Sequence, residues 1–219
     1  MKKNLKLTIP TEWKDIQLGK WLLIQKDLEN YKDEVDAQMG ILIHHFTGLE
    51  FDDIVQLTKD SYDTMKTKIE SFPNPEELEL QRFITIDGVE YGFEPNLSNI
   101  AYGAYVDITQ YQSITIDKNW SKIMSILYRP VTKKLKDLYE IEPYSGNIDG
   151  DKWLEVTMDV HYGAMFFFLH TSMDLVQGIL NSLKEMELPP NIKSTLEKSG
   201  KAMLQFTNSQ TEISKKWML

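Results

Sequence analysis

The chain has 219 residues, 42% of them hydrophobic and 26% charged, values ordinary for a globular protein long enough to bury its own core. It contains no cysteine, which excludes a disulfide framework, a thiolate zinc site and a cysteine nucleophile together, and suits a reducing compartment. The formal net charge of −9 disfavours a phosphate backbone as partner, so no nucleic-acid binding is expected; the lysine groups Lys133, Lys134, Lys136 and Lys215, Lys216 read as solvated faces.

The opening residues carry early lysines but no apolar run of signal-peptide length behind them. The most apolar run, Tyr162 to Leu169, is about half the length that spans a bilayer, so no membrane association is expected. Leu5, Leu7 and Ile9 alternate with Lys6 and Thr8, which predicts a short strand closed by Pro10. Trp21, Leu22, Ile24 and Leu28 form the apolar stripe of a first helix. A second runs from about Asp33 to Thr47, with Val35, Met39, Leu42, Ile43 and Phe46 on one face and Gly48 as its stop. Phe51 to Leu57 and Ser61 to Phe72 read as two more helices, the latter capped by Asp60 or Ser61, before Pro73-Asn74-Pro75 breaks the chain.

The clearest local signal is a β-hairpin over residues 83–93. Two alternating runs flank Asp87-Gly88, which tolerates the positive φ angles of a type I′ turn. A lone hairpin is marginal in water, and the Leu5–Ile9 strand is the expected third member of a small antiparallel sheet. Ala101 to Tyr111 and Lys118 to Tyr128 follow as helices, the second with Trp120, Ile123, Met124 and Leu127 on one face and Pro130 ending it. Leu135 to Pro143 reads as extended, leading into a polar loop. Met158 to Met186 reads as one long helix whose centre, Ala164 to Leu169, is apolar all round and therefore expected to be buried all round. The fold class is α+β, predominantly helical, with that small sheet and a long buried helix in the C-terminal half. Residues 1–188 are expected to form one domain, and residues 189–219, after Pro189-Pro190, a helical extension.

No motif supports chemistry. In Asn147 to Glu155, setting Gly150 at the sixth position of a calcium loop leaves Val156 where the bidentate carboxylate belongs, so a polar turn is expected. His44 and His45 are adjacent, and His161 and His170 lie nine apart, neither being the spacing that brings two ligands to one helix face. No glycine-rich phosphate loop and no G-x-S-x-G elbow occurs, so no cofactor is expected. Glu76, Glu77 and Glu79 fit a helix N-terminus. Tyr91, Phe93, Tyr102, Tyr105 and Tyr111 are expected to pack the hairpin onto the following helix, a ligand cleft being the alternative.

Three segments carry a resemblance: Tyr91 to Leu97 leading to Tyr102 to Asp107; Trp120 to Val131, with its Ile-Leu-Tyr-Arg-Pro end; and Met158 to Val160 with Gly163 to Phe167. Over about residues 5–180 the chain resembles a group of small tailed-bacteriophage proteins of virion morphogenesis, described as tail assembly chaperones or minor structural proteins. The resemblance implies no enzymatic residues. It implies a partner, another phage protein such as a tape-measure, tail-tube or connector component, with the host cytoplasm or the virion as location. A permanent component of the neck, tail or baseplate, forming a homo-oligomer, is the alternative, and an enzyme built from scattered carboxylates and tyrosines is a third reading. The candidate partner-binding residues are Arg129, Tyr102, Tyr105, Trp217, Met218 and Leu219. Arg129 is either an interfacial anchor or a helix-end hydrogen-bond donor. Trp217-Met218-Leu219 is an apolar tip that either docks on a partner or folds back on its own body.

Overall fold

The computed structural model of the chain describes residues 7–112 and 116–185, and beyond them only residues 190, 194 and 198. Helices α1 (Leu18–Glu29), α2 (Val35–Thr47), α3 (Phe51–Ile54) and α4 (Lys59–Glu70) come first. Strands β1 (Phe83–Ile86) and β2 (Val89–Phe93) follow, then α5 (Tyr102–Gln112), α6 (Ile116–Leu127), β3 (Tyr128–Leu135), β4 (Leu138–Ile141) and α7 (Met158–Glu185). The class is α+β, predominantly helical, with a four-stranded antiparallel sheet in the order β1-β2-β3-β4.

The hairpin forms as its sequence dictates. Ile86 pairs with Val89, and Asp87 and Gly88 both take positive φ, 51° and 79°. The third strand is not the N-terminal segment. Leu7 to Ile9 is irregular, and its half-buried Leu7 and Ile9 lie against the core. The edge of β2 is taken by β3, which leaves α6 without a connecting loop: helix ends at Leu127 and strand begins at Tyr128. Pro130 thus sits inside β3, where the missing N–H is tolerated and its carbonyl accepts from Glu142 N–H at 2.9 Å. Gly92 is required in β2, because a Cβ there would meet the Tyr139 ring at 2.9 Å.

The core is aromatic at its centre. Trp13 makes edge-on contacts with Trp21, Phe72 and Tyr162 at centroid distances of 5.3, 4.9 and 4.9 Å, and its indole N–H donates to the Pro73 carbonyl at 2.8 Å. Around it Ile24, Ile43, Ile69, Ile123 and Leu127 are fully buried, each such aliphatic contributing about 1.5–3 kcal/mol. One continuous apolar cluster runs from Trp13 to Leu169. The starts of α1 and α7 are tied together, Leu18 N–H donating to Val156 and Met158 N–H to Ile16. The expected division at 188/189 lies outside the described residues.

Two expectations are corrected in detail. The N-cap of α4 is Thr58, whose hydroxyl accepts from Ser61 N–H, so the helix begins earlier than Ser61. The centre of α7 is not buried on every side: Ala164, Met165, Phe166 and Leu169 are, whereas Phe167 is 39% exposed. Gly163 is where residues 75–80 cross α7. A Cβ there would collide with the carbonyl oxygen of Glu79 and lie 3.0 Å from its carbon. No helix among the described residues is long and apolar enough to cross a membrane.

Candidate protein-binding site

Arg129 is drawn inward. Its Nε donates to the Glu142 carbonyl at 2.7 Å, Nη1 to the Ile126 carbonyl at 2.9 Å, and Nη2 to Glu94 Oε2 at 2.5 Å, both side chains being largely buried. It therefore closes the end of α6 and ties β3 to the segment after β2. Tyr102 and Tyr105 point the other way. They are 82% and 53% exposed and, with Val106, leave an uncovered strip on α5. The opposite face of α5 buries Ala104 and Ile108, and the Tyr144 hydroxyl donates to Asp107. The expected stacking of the hairpin aromatics on α5 is thus replaced: Tyr91 meets Trp153, and Phe93 meets Tyr128 and Phe167. The side chain of Tyr111 and all of Trp217, Met218 and Leu219 lie outside the described residues.

The polar residues singled out in the sequence are dispersed. His44 Nδ1 is 2.6 Å from the Leu49 carbonyl, and His45 Nε2 is 2.8 Å from Asp27 Oδ2. His161 is buried with Nε2 2.9 Å from the Trp153 carbonyl, and burial pushes its pKa down to about 4 against the pull of that hydrogen bond. Among the described residues no three histidines or carboxylates are grouped to hold a metal ion. Lys133 pairs with Glu140 at 2.9 Å, and Lys134 pairs with Glu90 at 2.7 Å while lying 3.5 Å over the Phe83 ring. Asp149 makes a polar turn, accepting from Asp151 N–H at 3.1 Å.

A further concavity lies where no sequence motif points. A cleft of about 610 Å³ opens between α2, α3 and α4, lined by Tyr31, Asp36, Ala37, Gly40, Ile41, Phe51, Ile54, Val55, Leu57, Lys59 and Tyr62. It exists because Ala37 and Gly40, one turn apart on α2, present almost no side chain, while Phe51 and Tyr62 stand up around them. Phe51 is 51% and Val55 78% exposed, and Val35 at the start of α2 is also largely uncovered. Phe51 is braced by stacking on His44 at 4.9 Å. The segment that builds the cleft is acidic. Residues 33–63 contain eight carboxylates, all exposed, against the single Lys59, a net of −7 out of the chain's −9. The signal was present as a glycine in the middle of an apolar helix, followed by Phe51 between Glu50 and Asp52 and by Val55 one turn on.

The arrangement offers exposed apolar side chains, with hydrogen-bonding side chains among the lining at Asp36, Lys59, Tyr31 and Tyr62. Comparison with protein-family models, curated proteins and solved structures finds no match for this chain.

Proposed function

We propose that the chain is an assembly protein of a tailed bacteriophage, of the tail-assembly-chaperone type, and that it binds another phage protein in the cleft between α2, α3 and α4. The resemblance in the segments around Glu94, Arg129 and Gly163 supplies the phage context. The observation that carries the binding role is the cleft itself, lined mainly by apolar side chains and built from a segment, residues 33–63, that holds eight exposed carboxylates. An amphipathic helix fits such a groove by its apolar face, with anchors spaced three and four residues apart. Complementarity with that acidic segment asks for lysine or arginine flanking those anchors in the client. The exposed strip of Tyr102, Tyr105 and Val106 is a second contact area, and the client in this reading is a tape-measure, tail-tube or connector component.

The test is co-expression of the full chain with each such protein from the same phage, reading the client's solubility and co-purification. One client is expected to become soluble and to co-elute with the wild type, and to be lost with Val55→Asp. Co-elution unaffected by Val55→Asp, or with none of them, overturns the reading. Mass spectrometry of purified particles separates the two fates: absence fits a chaperone, and presence fits the permanent structural component.

A further inference from the structure

We propose that the α2–α4 cleft also takes residues 215–219 of the same chain, Lys-Lys-Trp-Met-Leu, so that the protein covers its own binding surface until a client displaces them. The cleft is the one already assigned to the client, but self-docking stands on separate observations.

The first is chemical match. The cleft presents Phe51 and Val55 to solvent over a floor opened by Ala37 and Gly40. Its volume of about 610 Å³ corresponds to roughly twenty waters, room for a few large side chains. Trp217, Met218 and Leu219 are three consecutive large apolar side chains. Tryptophan is an effective anchor in a desolvated pocket, and methionine adapts to irregular surfaces.

The second is charge. Lys215 and Lys216 stand immediately before the apolar trio. Residues 190–219 hold five lysines against two glutamates, a net of +3, in a chain that is otherwise strongly acidic. Residues 33–63 hold the complementary −7, with Asp36 in the cleft wall and Asp52, Asp53 and Asp60 exposed on the elements that form it. The tail and the segment that builds the cleft are therefore opposite in sign, which favours register and raises the rate of encounter.

The third is reach. α7 has 28 residues, about 42 Å of helix, and begins beside α1, to which Gln17 and Thr157 bridge it. α1 packs on α2. The 29 residues between Glu185 and Lys215 would cover about 44 Å even if wholly helical, enough to retrace α7 and return Lys215 to the level of α1 and α2. Tethering makes the encounter intramolecular, so its strength is independent of protein concentration.

The experiment uses the full chain. The protein has no cysteine, so Val55→Cys places one thiol at a site that is 78% exposed and spares the core. A benzophenone attached to that thiol is irradiated in dilute, low-salt protein, and the adducts are mapped by mass spectrometry. The expected result is adducts on residues 215–219 within a monomer. Their yield should fall about tenfold when Lys215→Glu and Lys216→Glu are added, and again when a peptide of residues 210–219 is supplied in excess. Adducts confined to other segments or to other molecules overturn the proposal, as does a yield indifferent to both treatments. No client enters the measurement: cross-linking with no client found leaves self-docking standing alone, and client binding without cross-linking leaves the cleft to the client.

Discussion

Arg129 and Glu94 meet at 2.5 Å inside the protein and join two segments that lie far apart in the sequence. Tyr-Gly-Phe-Glu brings the carboxylate at the end of β2, and Ile-Leu-Tyr-Arg-Pro brings the guanidinium at the junction of α6 and β3. Gly92 in the first segment makes room for Tyr139, whose hydroxyl donates to the Phe93 carbonyl at 2.6 Å. Together these residues build a loopless helix-to-strand junction. Replacing Arg129 with Met leaves Glu94 buried and unpaired, and the expected loss is about 3–5 kcal/mol by urea denaturation. Arg129→Met combined with Glu94→Leu should recover a large part of that loss, because both charges are then gone. Equal losses in the single and double variants would mean that the pair is not coupled.

Two glycines of α7 should respond in opposite directions to the same change. Gly163→Ala drives a methyl group into the Glu79 backbone, which has no flexible end to yield, and an overpacking cost of about 1–3 kcal/mol is expected. Gly178 is exposed with nothing near its absent Cβ, so Gly178→Ala should stabilise by up to about 1 kcal/mol through helix propensity. Thermal unfolding of the two variants checks both signs in one experiment.

Acid should weaken the fold through His161. Burial keeps its ring neutral down to about 4, whereas the imidazole of the unfolded chain takes up a proton near 6.5. Between those values the unfolded state holds the extra proton, so stability is full above pH 6.5, declines as the pH falls through the window, and levels off below 4. The contribution is about 3 kcal/mol. His161→Asn should show a shallower decline than wild type over that window, whatever its stability at neutral pH. Parallel profiles would show that the ring titrates alike in both states.

The sequence carried the helices and the hairpin because their signals are local. Thirteen residues of α2 end at Gly48, whose φ of 72° and bond to His44 are what a glycine stop predicts. Asp87-Gly88 likewise fixed its turn without tertiary help. The third strand was misplaced because Pro130 and the Lys133-Lys134 pair obscure the pattern of β3, and because pairing across a sheet is a tertiary choice. Arg129 was legible as a helix-end donor, but its partner Glu94 lies 35 positions earlier. The cleft was least legible, since it arises from an absence of side chain at Ala37 and Gly40 that only the packing of α3 and α4 turns into a hollow.

The two exposed surfaces make separable predictions for partner binding. Val55→Asp places a carboxylate in the cleft and should weaken the client about a hundredfold while leaving the unfolding curve unchanged, because truncating or charging a central anchor costs more than about 2 kcal/mol. Tyr102→Ala with Tyr105→Ala should weaken it about tenfold or less if α5 contributes only a rim.

Calorimetric titration of the proposed client into the full chain, wild type against Val55→Asp, tests the proposed binding role most directly. The account predicts saturable binding by the wild type and about a hundredfold weaker binding by the variant, with both proteins equally stable. Equal affinities for the two would place the partner elsewhere and contradict it.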